Sequence, residues 1–139
     1  MSQHPLSPHP LRAVIEACDR AITAEDFDTL MRAYADDAVL VVRPGLEARG
    51  HEQIRRAFVA IAEHFKHGLV VRQGKMLVLE GADTALVLME TFLDVPAEGG
   101  GMTQIRREAT YVFRKDGESG WLCTIDNSYG PALLAELEG

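Results

Sequence analysis

Near the end of the chain an apolar run, Trp121-Leu122-Cys123-Thr124-Ile125, closes on Asp126-Asn127-Ser128-Tyr129-Gly130 and so sets a carboxylate, a carboxamide and a phenol at its tip. A strand needs the Trp and the Ile for burial and has no use for the polar trio. A few convergent polar groups on an apolar wall are what a small-molecule pocket consists of. Two roles are open to Asp126. As a general base it would take a proton from a bound compound; as a turn carboxylate it would accept from backbone amides ahead of Gly130. Strand alternation bears on the choice. If Trp121, Cys123 and Ile125 point inward, Asn127 and Tyr129 do too, and Asp126 points outward unless a bulge intervenes. Ile125 and Asn127 are therefore expected on the pocket wall, and Asp126 is the candidate catalytic group if the bulge exists.

The preceding strand-like stretch, Met102 to Arg114, supplies the next candidates. Its more apolar face carries Ile105, Arg107, Ala109, Tyr111 and Phe113, and its other face Gln104, Arg106, Glu108, Thr110 and Arg114. An unpaired guanidinium on an apolar face is costly, so Arg107 must meet a carboxylate. A structural ion pair within the protein is the expected role, a ligand carboxylate the alternative. Tyr111 is expected in the core with its hydroxyl seeking a partner, which a ligand can also be. If the protein is an enzyme, Asp126 or Asn127 acts on the substrate and Tyr111 or Arg107 stabilises the developing negative charge. Tyr34, Phe58 and Met89 complete the expected cavity wall.

Other reactive residues read as structural. Asp36-Asp37 resemble a carboxylate pair but stand where a helix gives way to a strand, so they are expected to cap and turn. His51, His64 and His67 lack a third ligand at sensible spacing, and no metal or other cofactor is expected. Gly99-Gly100-Gly101 opens no helix and carries no lysine, so it is a hairpin tip rather than a phosphate loop.

These residues must be positioned by a fold that is helical first and extended later. Leu11, Val14, Ile15, Cys18, Ala21 and Ile22 recur at three and four and predict a helix over 11–24, with Arg12, Glu16, Asp19 and Arg20 on its wet side. A second short helix begins at about Phe27 behind the cap Asp26, with Phe27, Leu30, Met31 and Tyr34 as its buried stripe. Ala38 to Val42 predicts a short strand ending in the turn Arg43-Pro44-Gly45. A third helix covers 51–65, with Ile54, Phe58, Ile61 and Phe65 inward, and Gly68 ends it. Four long strands follow over 69–80, 84–94, 102–114 and 121–128, separated by Gly-rich or charged turns, and Pro131 to Leu137 can add a last helical turn. Helices followed by an antiparallel meander mean an α+β fold.

Bulk properties exclude several classes. A chain of 139 residues fits one domain, here 11–139, behind a proline-marked tail over 1–10 that is expected to be disordered. The start has neither the basic end nor the apolar stretch of a secretory signal, and no apolar run is long enough to span a bilayer. Cys18 and Cys123 offer no metal spacing or disulfide framework and are expected to be reduced thiols of a cytoplasmic protein. A net charge of -7, with no stripe of Lys and Arg, argues against a nucleic-acid partner. The strand 84–94 is apolar on both faces, with Leu86, Leu88 and Phe92 on the outer one, so a second copy of the chain is expected to cover the outer sheet face.

The order helix, helix, short strand, helix and curled sheet, with Tyr34-Ala35-Asp36-Asp37-Ala38 leading into the first strand, resembles the nuclear transport factor 2-like superfamily. Its cone-shaped, cystatin-like fold is shared with ketosteroid isomerases and SnoaL-like polyketide cyclases. Ala85-Leu86-Val87, Ala109-Thr110-Tyr111-Val112-Phe113-Arg114 and Trp121 through Gly130 resemble a bacterial SnoaL-like subgroup of undefined function. That subgroup ends in Asp-Asn-Pro-Tyr-Gly, with Ser128 here in the place of proline. The resemblance implies three helices packed on a curved antiparallel sheet over roughly 11–130. It also implies a cavity suited to a cofactor-independent cyclase, isomerase or hydrolase acting on a small apolar carbonyl compound. A non-catalytic binding or dimerisation module on the same scaffold is the alternative. The isomerase carboxylates have no counterpart, since the matching positions are Val41-Val42-Arg43-Pro44 and about Ala109, so a steroid isomerase mechanism does not transfer.

Overall fold

The computed structural model describes residues 9–117 and 120–137. The expected tail therefore falls outside the described residues except at its end, where His9 and Pro10 are ordered into helix α1, Pro10–Ala24. Pro10 suits the first turn because it has no N–H to leave unpaired, and His9 caps the helix by accepting from the Leu11 amide at 3.1 Å. Helix α2 is short, Phe27–Met31, capped by Asp26 through the Thr29 amide. Helix α3 spans Gly50–His64, with Gln53 reaching back to the Arg49 amide at its start.

Among the described residues six strands accompany these helices: β1 Tyr34–Arg43, β2 Leu46–Arg49, β3 Val70–Gly81, β4 Thr84–Pro96, β5 Met102–Asp116 and β6 Gly120–Asn127. They form one sheet in the order β2-β1-β6-β5-β4-β3. The meander β3 to β6 is antiparallel, but β1 pairs with β6 in parallel, so the sheet is mixed rather than wholly antiparallel. A strand the length of β5 extends about 50 Å, more than the diameter of about 35 to 40 Å that suits a domain this size. The sheet must therefore coil, and its concave side is where α1 packs against β3 and α3 against β1 and β2.

Two local outcomes differ from the periodicity reading. Tyr34 opens β1 instead of closing the second helix, because the chain is already paired to β6: the Cys123 amide donates to the Ala33 carbonyl at 2.8 Å. Between Tyr34 and Val39, β1 runs five residues against two on β6, so Asp36 and Asp37 are pushed out to solvent. There they face His51 at 3.8 Å and Arg114 at 3.6 Å. The core is built from Leu11, Leu30, Ile54, Val87 and their neighbours, all on the faces that meet between helices and sheet. A 3-10 helix, Gly130–Glu136, follows β6.

Candidate functional site

The concave side of the sheet does not close completely on the helices. Between them lies a cavity of about 840 Å³, walled by Ile15, Cys18, Asp19 and Ile22 of α1, by Phe58 and Ile61 of α3, and by inward side chains of every strand. That volume is in the range of pockets that enclose small organic ligands.

Asp126 reaches this cavity because of one extra residue. Val112 pairs with Ile125 and Phe113 with Cys123, so β6 uses two steps where β5 uses one. Thr124 is the residue in excess, and its hydroxyl donates to the Val112 carbonyl at 3.1 Å, which holds the bulge shut. The bulge reverses the alternation of everything after it. Asp126 turns inward, opposite Tyr111, while Ile125 turns out and is 43% exposed. Asn127 also leaves the wall, so Ile125 and Asn127, expected on the cavity, do not line it.

The Asp126 carboxylate accepts a hydrogen bond of 2.5 Å from the Tyr34 hydroxyl. Burial pushes the carboxyl up to about 6, against the opposing effect of that bond. Burial and the Asp126 charge together hold the Tyr34 phenol well above its usual value, so Tyr34 stays a donor.

A second carboxyl faces the same cavity. Asp19, expected on the wet side of the first helix, is 8% exposed and on the wall. It stands four residues after Ile15 and three before Ile22, on the buried stripe itself. Burial raises it to about 7, helped by the charge of Asp126 and opposed by a hydrogen bond from Gln73. Gln73 Nε2 donates to Asp19 at 3.1 Å, and Gln73 Oε1 accepts from Thr91 Oγ1 at 2.8 Å. With its proton committed there, Thr91, 1% exposed, receives the Tyr111 hydroxyl at 3.0 Å. A directed chain Tyr111, Thr91, Gln73, Asp19 thus runs from β5 to α1 along the cavity. Two carboxyls both raised toward neutral in one apolar space can exchange protons with a bound compound near neutral pH.

Arg107 does not form the expected ion pair: among the described residues no carboxylate lies within ion-pair distance of it. Its Nη1 donates to Ser128 Oγ at 3.0 Å, and its guanidinium carbon stands 4.1 Å from the centroid of the Tyr129 ring. Asn127 sets this arrangement. Its Oδ1 accepts from the amides of Tyr129 and Gly130, both at 3.1 Å, and its Nδ2 donates to Thr110 Oγ1 at 3.2 Å. Gly130 follows with φ of 56°, and a Cβ there would collide with the Glu108 carbonyl, so only glycine fits. The terminal motif thus divides its labour: Asp126 faces the cavity, Asn127 and Gly130 fix the turn, and Ser128 and Tyr129 hold Arg107.

Of the other expected wall residues, Tyr34, Phe58 and Tyr111 line the cavity and Met89 is buried in the core away from it. Cys18 and Cys123 also border the cavity as free thiols, Cys18 pushed up to about 12 by burial and by Asp126, so neither is a thiolate nucleophile at neutral pH. His51 is spent on the Tyr34 carbonyl at 2.8 Å, and His67 pairs with Glu25 at 3.0 Å. Among the described residues no group of three His, Cys, Asp or Glu side chains gathers to hold a metal, and no helix is long and apolar enough to cross a membrane. Sequence reasoning missed Asp19 and Gln73, and it named a bulge as the condition for Asp126 without placing it at Thr124. Helical spacing was the one signal available, and it pointed to Asp19.

A family model described as a SnoaL-like domain matches residues 11–124, which stops two residues short of Asp126. No curated protein matches the chain in sequence. Among solved structures, Aln2 from a Streptomyces species is similar, with a TM-score of 0.79, 14% identity and coverage of 93% of this chain and 97% of that one. A nuclear transport factor 2-like protein with a cystatin-like fold from Novosphingobium aromaticivorans has a TM-score of 0.68 and 19% identity, over 93% and 87% of the two chains. The association domain of C. elegans CaMKII has a TM-score of 0.66 and 18% identity, over 84% and 89%. Likeness at these identities is likeness of fold, and it agrees with the α+β, cystatin-like architecture described above.

Proposed function

This chain belongs to the SnoaL-like domain family, and from that premise we propose that it takes a small, largely apolar carbonyl compound into its cavity and moves a proton on it without a cofactor. The reaction class is that of a cyclase, an isomerase or a hydrolase. The observation that carries this reading is the pair of desolvated carboxyls, Asp126 and Asp19, on one apolar cavity. Asp126, as the carboxylate, takes the proton from the carbon beside the carbonyl. Tyr34, bonded to Oδ2, keeps the carboxylate oriented and leaves Oδ1 to act. Asp19, held toward its protonated form by burial and by the Asp126 charge, is the donor to the developing enolate oxygen. In an isomerisation Asp126 returns its proton to another carbon while Asp19 takes back the enol proton as the carbonyl re-forms; in a cyclisation the enol carbon closes on a second carbonyl, whose oxygen takes the proton held by Asp126, and Asp19 again recovers its own.

Proton abstraction can be tested on surrogate carbonyl compounds, whatever the natural substrate. Apolar ketones such as 2-tetralone and 4-phenyl-2-butanone are incubated with the protein in deuterated water, and deuterium uptake beside the carbonyl is followed by NMR. The protein is expected to accelerate uptake over buffer, and Asp126→Asn to remove the acceleration by about two orders of magnitude or more while binding persists. Uptake unchanged by Asp126→Asn would discard Asp126 as the base.

A second reading, a binding or self-associating module, has its own support on the convex side. Leu79, Leu86, Val112 and Ile125 are cross-strand partners in one row over β3, β4, β5 and β6, and Leu79 is 48% exposed. We infer a homodimer through this face. It is compatible with catalysis on the concave side, and ligand binding without deuterium uptake would leave the module as the better account.

A further inference from the structure

We propose that the ligand of the cavity carries a carboxylate, and that Arg107 binds it in a seat made by Ser128 and Tyr129. The proposal rests on the reading of the cavity as a ligand site and adds the substrate class. A guanidinium presents five N–H donors in a planar fork, and among the described residues only Nη1 has a protein partner. No buried polar side-chain atom of the described residues lacks a hydrogen bond, so the remaining donors of Arg107 open onto accessible space, and Arg107 is part of the cavity wall. A cation on a wall that is mostly apolar, with no carboxylate of the protein beside it, is complementary to an anion brought by the ligand.

The geometry favours a carboxylate over a phosphate. Tyr129 lies against the guanidinium and Ser128 holds one corner, which fixes the plane of the fork for two parallel N–H···O bonds. Ser128 Oγ accepts from Arg107, so its own O–H is free to donate to the same anion. A phosphate would call for several cations or a nest of backbone amides, and the wall here offers one guanidinium and one hydroxyl at this point. Arg107 is also the cross-strand partner of Thr91, the middle of the polar chain that ends at Asp19. A carboxylate seated on Arg107 sets the body of a small molecule alongside Tyr111 and the two cavity carboxyls.

Matched acids and amides test this by isothermal titration calorimetry: 1-naphthylacetate with 1-naphthylacetamide, and octanoate with octanamide. The protein is expected to bind the acids about tenfold or more tightly than the amides. Arg107→Met should erase that preference and leave amide affinity within about twofold; Arg107→Lys and Ser128→Ala should each keep only part of it. If Arg107→Met fails to fold, the other two variants decide. Equal binding of acid and amide, or a preference that survives these substitutions, would overturn the carboxylate assignment alone. No binding of any of the four probes would overturn it together with the cavity reading.

Discussion

Asp19 and Asp126 are carboxyls that burial raises and that make no ion pair among the described residues, and that has consequences for pH. Burial raises Asp126 to about 6 and Asp19 to about 7, the latter partly because Asp126 ionises nearby. A reaction that needs Asp126 ionised and Asp19 protonated should rise through about pH 6 and fall through about pH 7, with the two limbs belonging to the pair as a coupled unit. Rates of deuterium uptake between pH 5 and 9 check this, and a flat profile would contradict it. Stability carries the opposite imprint. Both folded values lie above the ordinary value of 3.8, so between about pH 4 and 7 the folded state holds more protons than the unfolded one. The contribution is full below about pH 4 and is lost as pH rises through 6 and 7. A tenfold change in a protonation equilibrium is about 1.4 kcal/mol, so Asp19→Asn, which removes the buried charge but must bury an amide, should stabilise the protein by about 2 kcal/mol at pH 8 and by little at pH 4. Thermal scans at the two pH values decide it; the same change in Tm at both would assign Asp19 no such role. Asp19 was legible at this scale, since an acid on the Leu11, Ile15 and Ile22 stripe is out of keeping with a buried face. Its charge points to the wet side, its spacing to the buried one, and the spacing holds.

Elements explain why Asp126 was harder to read. Side-chain direction in β6 depends on whether one residue is skipped, and nothing in Trp121-Leu122-Cys123-Thr124-Ile125 distinguishes a bulged strand from a regular one. The bulge is imposed from outside, by pairing with both β5 and β1 and by the Thr124 bond to Val112. Pairing overrode local propensity in β1 as well, where Tyr34 continues a helical stripe in sequence and yet extends against Cys123. Long elements with strong periods, α1, α3 and the meander, were legible to within a few residues. The four-residue β2 was not, because Leu46-Glu47-Ala48-Arg49 alternates over two pairs only, too few to set it apart from a turn. Gly130 gives this scale its prediction. With φ of 56° and the Glu108 carbonyl where a Cβ would go, Gly130→Ala must move the turn off β5. It should destabilise the protein by about 2 kcal/mol or more, read as a lower Tm. Because the same turn carries Ser128 and Tyr129, the preference for acids over amides should fall with it. A variant of unchanged Tm and unchanged preference would show that the turn is not what holds Arg107.

At the scale of the whole molecule, one sheet has two faces of different make-up. The concave face is shared by the helices and the cavity. On the convex face the row Leu79, Leu86, Val112 and Ile125 crosses four strands, joined by Leu77 and by Leu88, which is 39% exposed. Toward the other end of β3 and β4 the same face is charged and internally paired, Arg72 with Asp94 at 2.8 Å and Arg106 with Glu90 at 2.9 Å. These pairs hold Glu90 and Asp94 below the usual carboxylate range, so the charged end stays ionised and wet. An apolar row of this length beside a satisfied polar end is how a self-complementary interface core and its rim are arranged. Ile125, displaced from the cavity by the Thr124 bulge, belongs to this row, so one extra residue both delivers Asp126 to the site and completes the convex patch. Light scattering at micromolar concentration is expected to give the mass of a dimer. Leu86→Lys combined with Ile125→Glu, which puts charges into the centre and end of the row, should give a monomer that retains its circular dichroism spectrum and still binds the cavity probes. A wild-type monomer, or a double variant that remains dimeric, would remove the convex face as the interface.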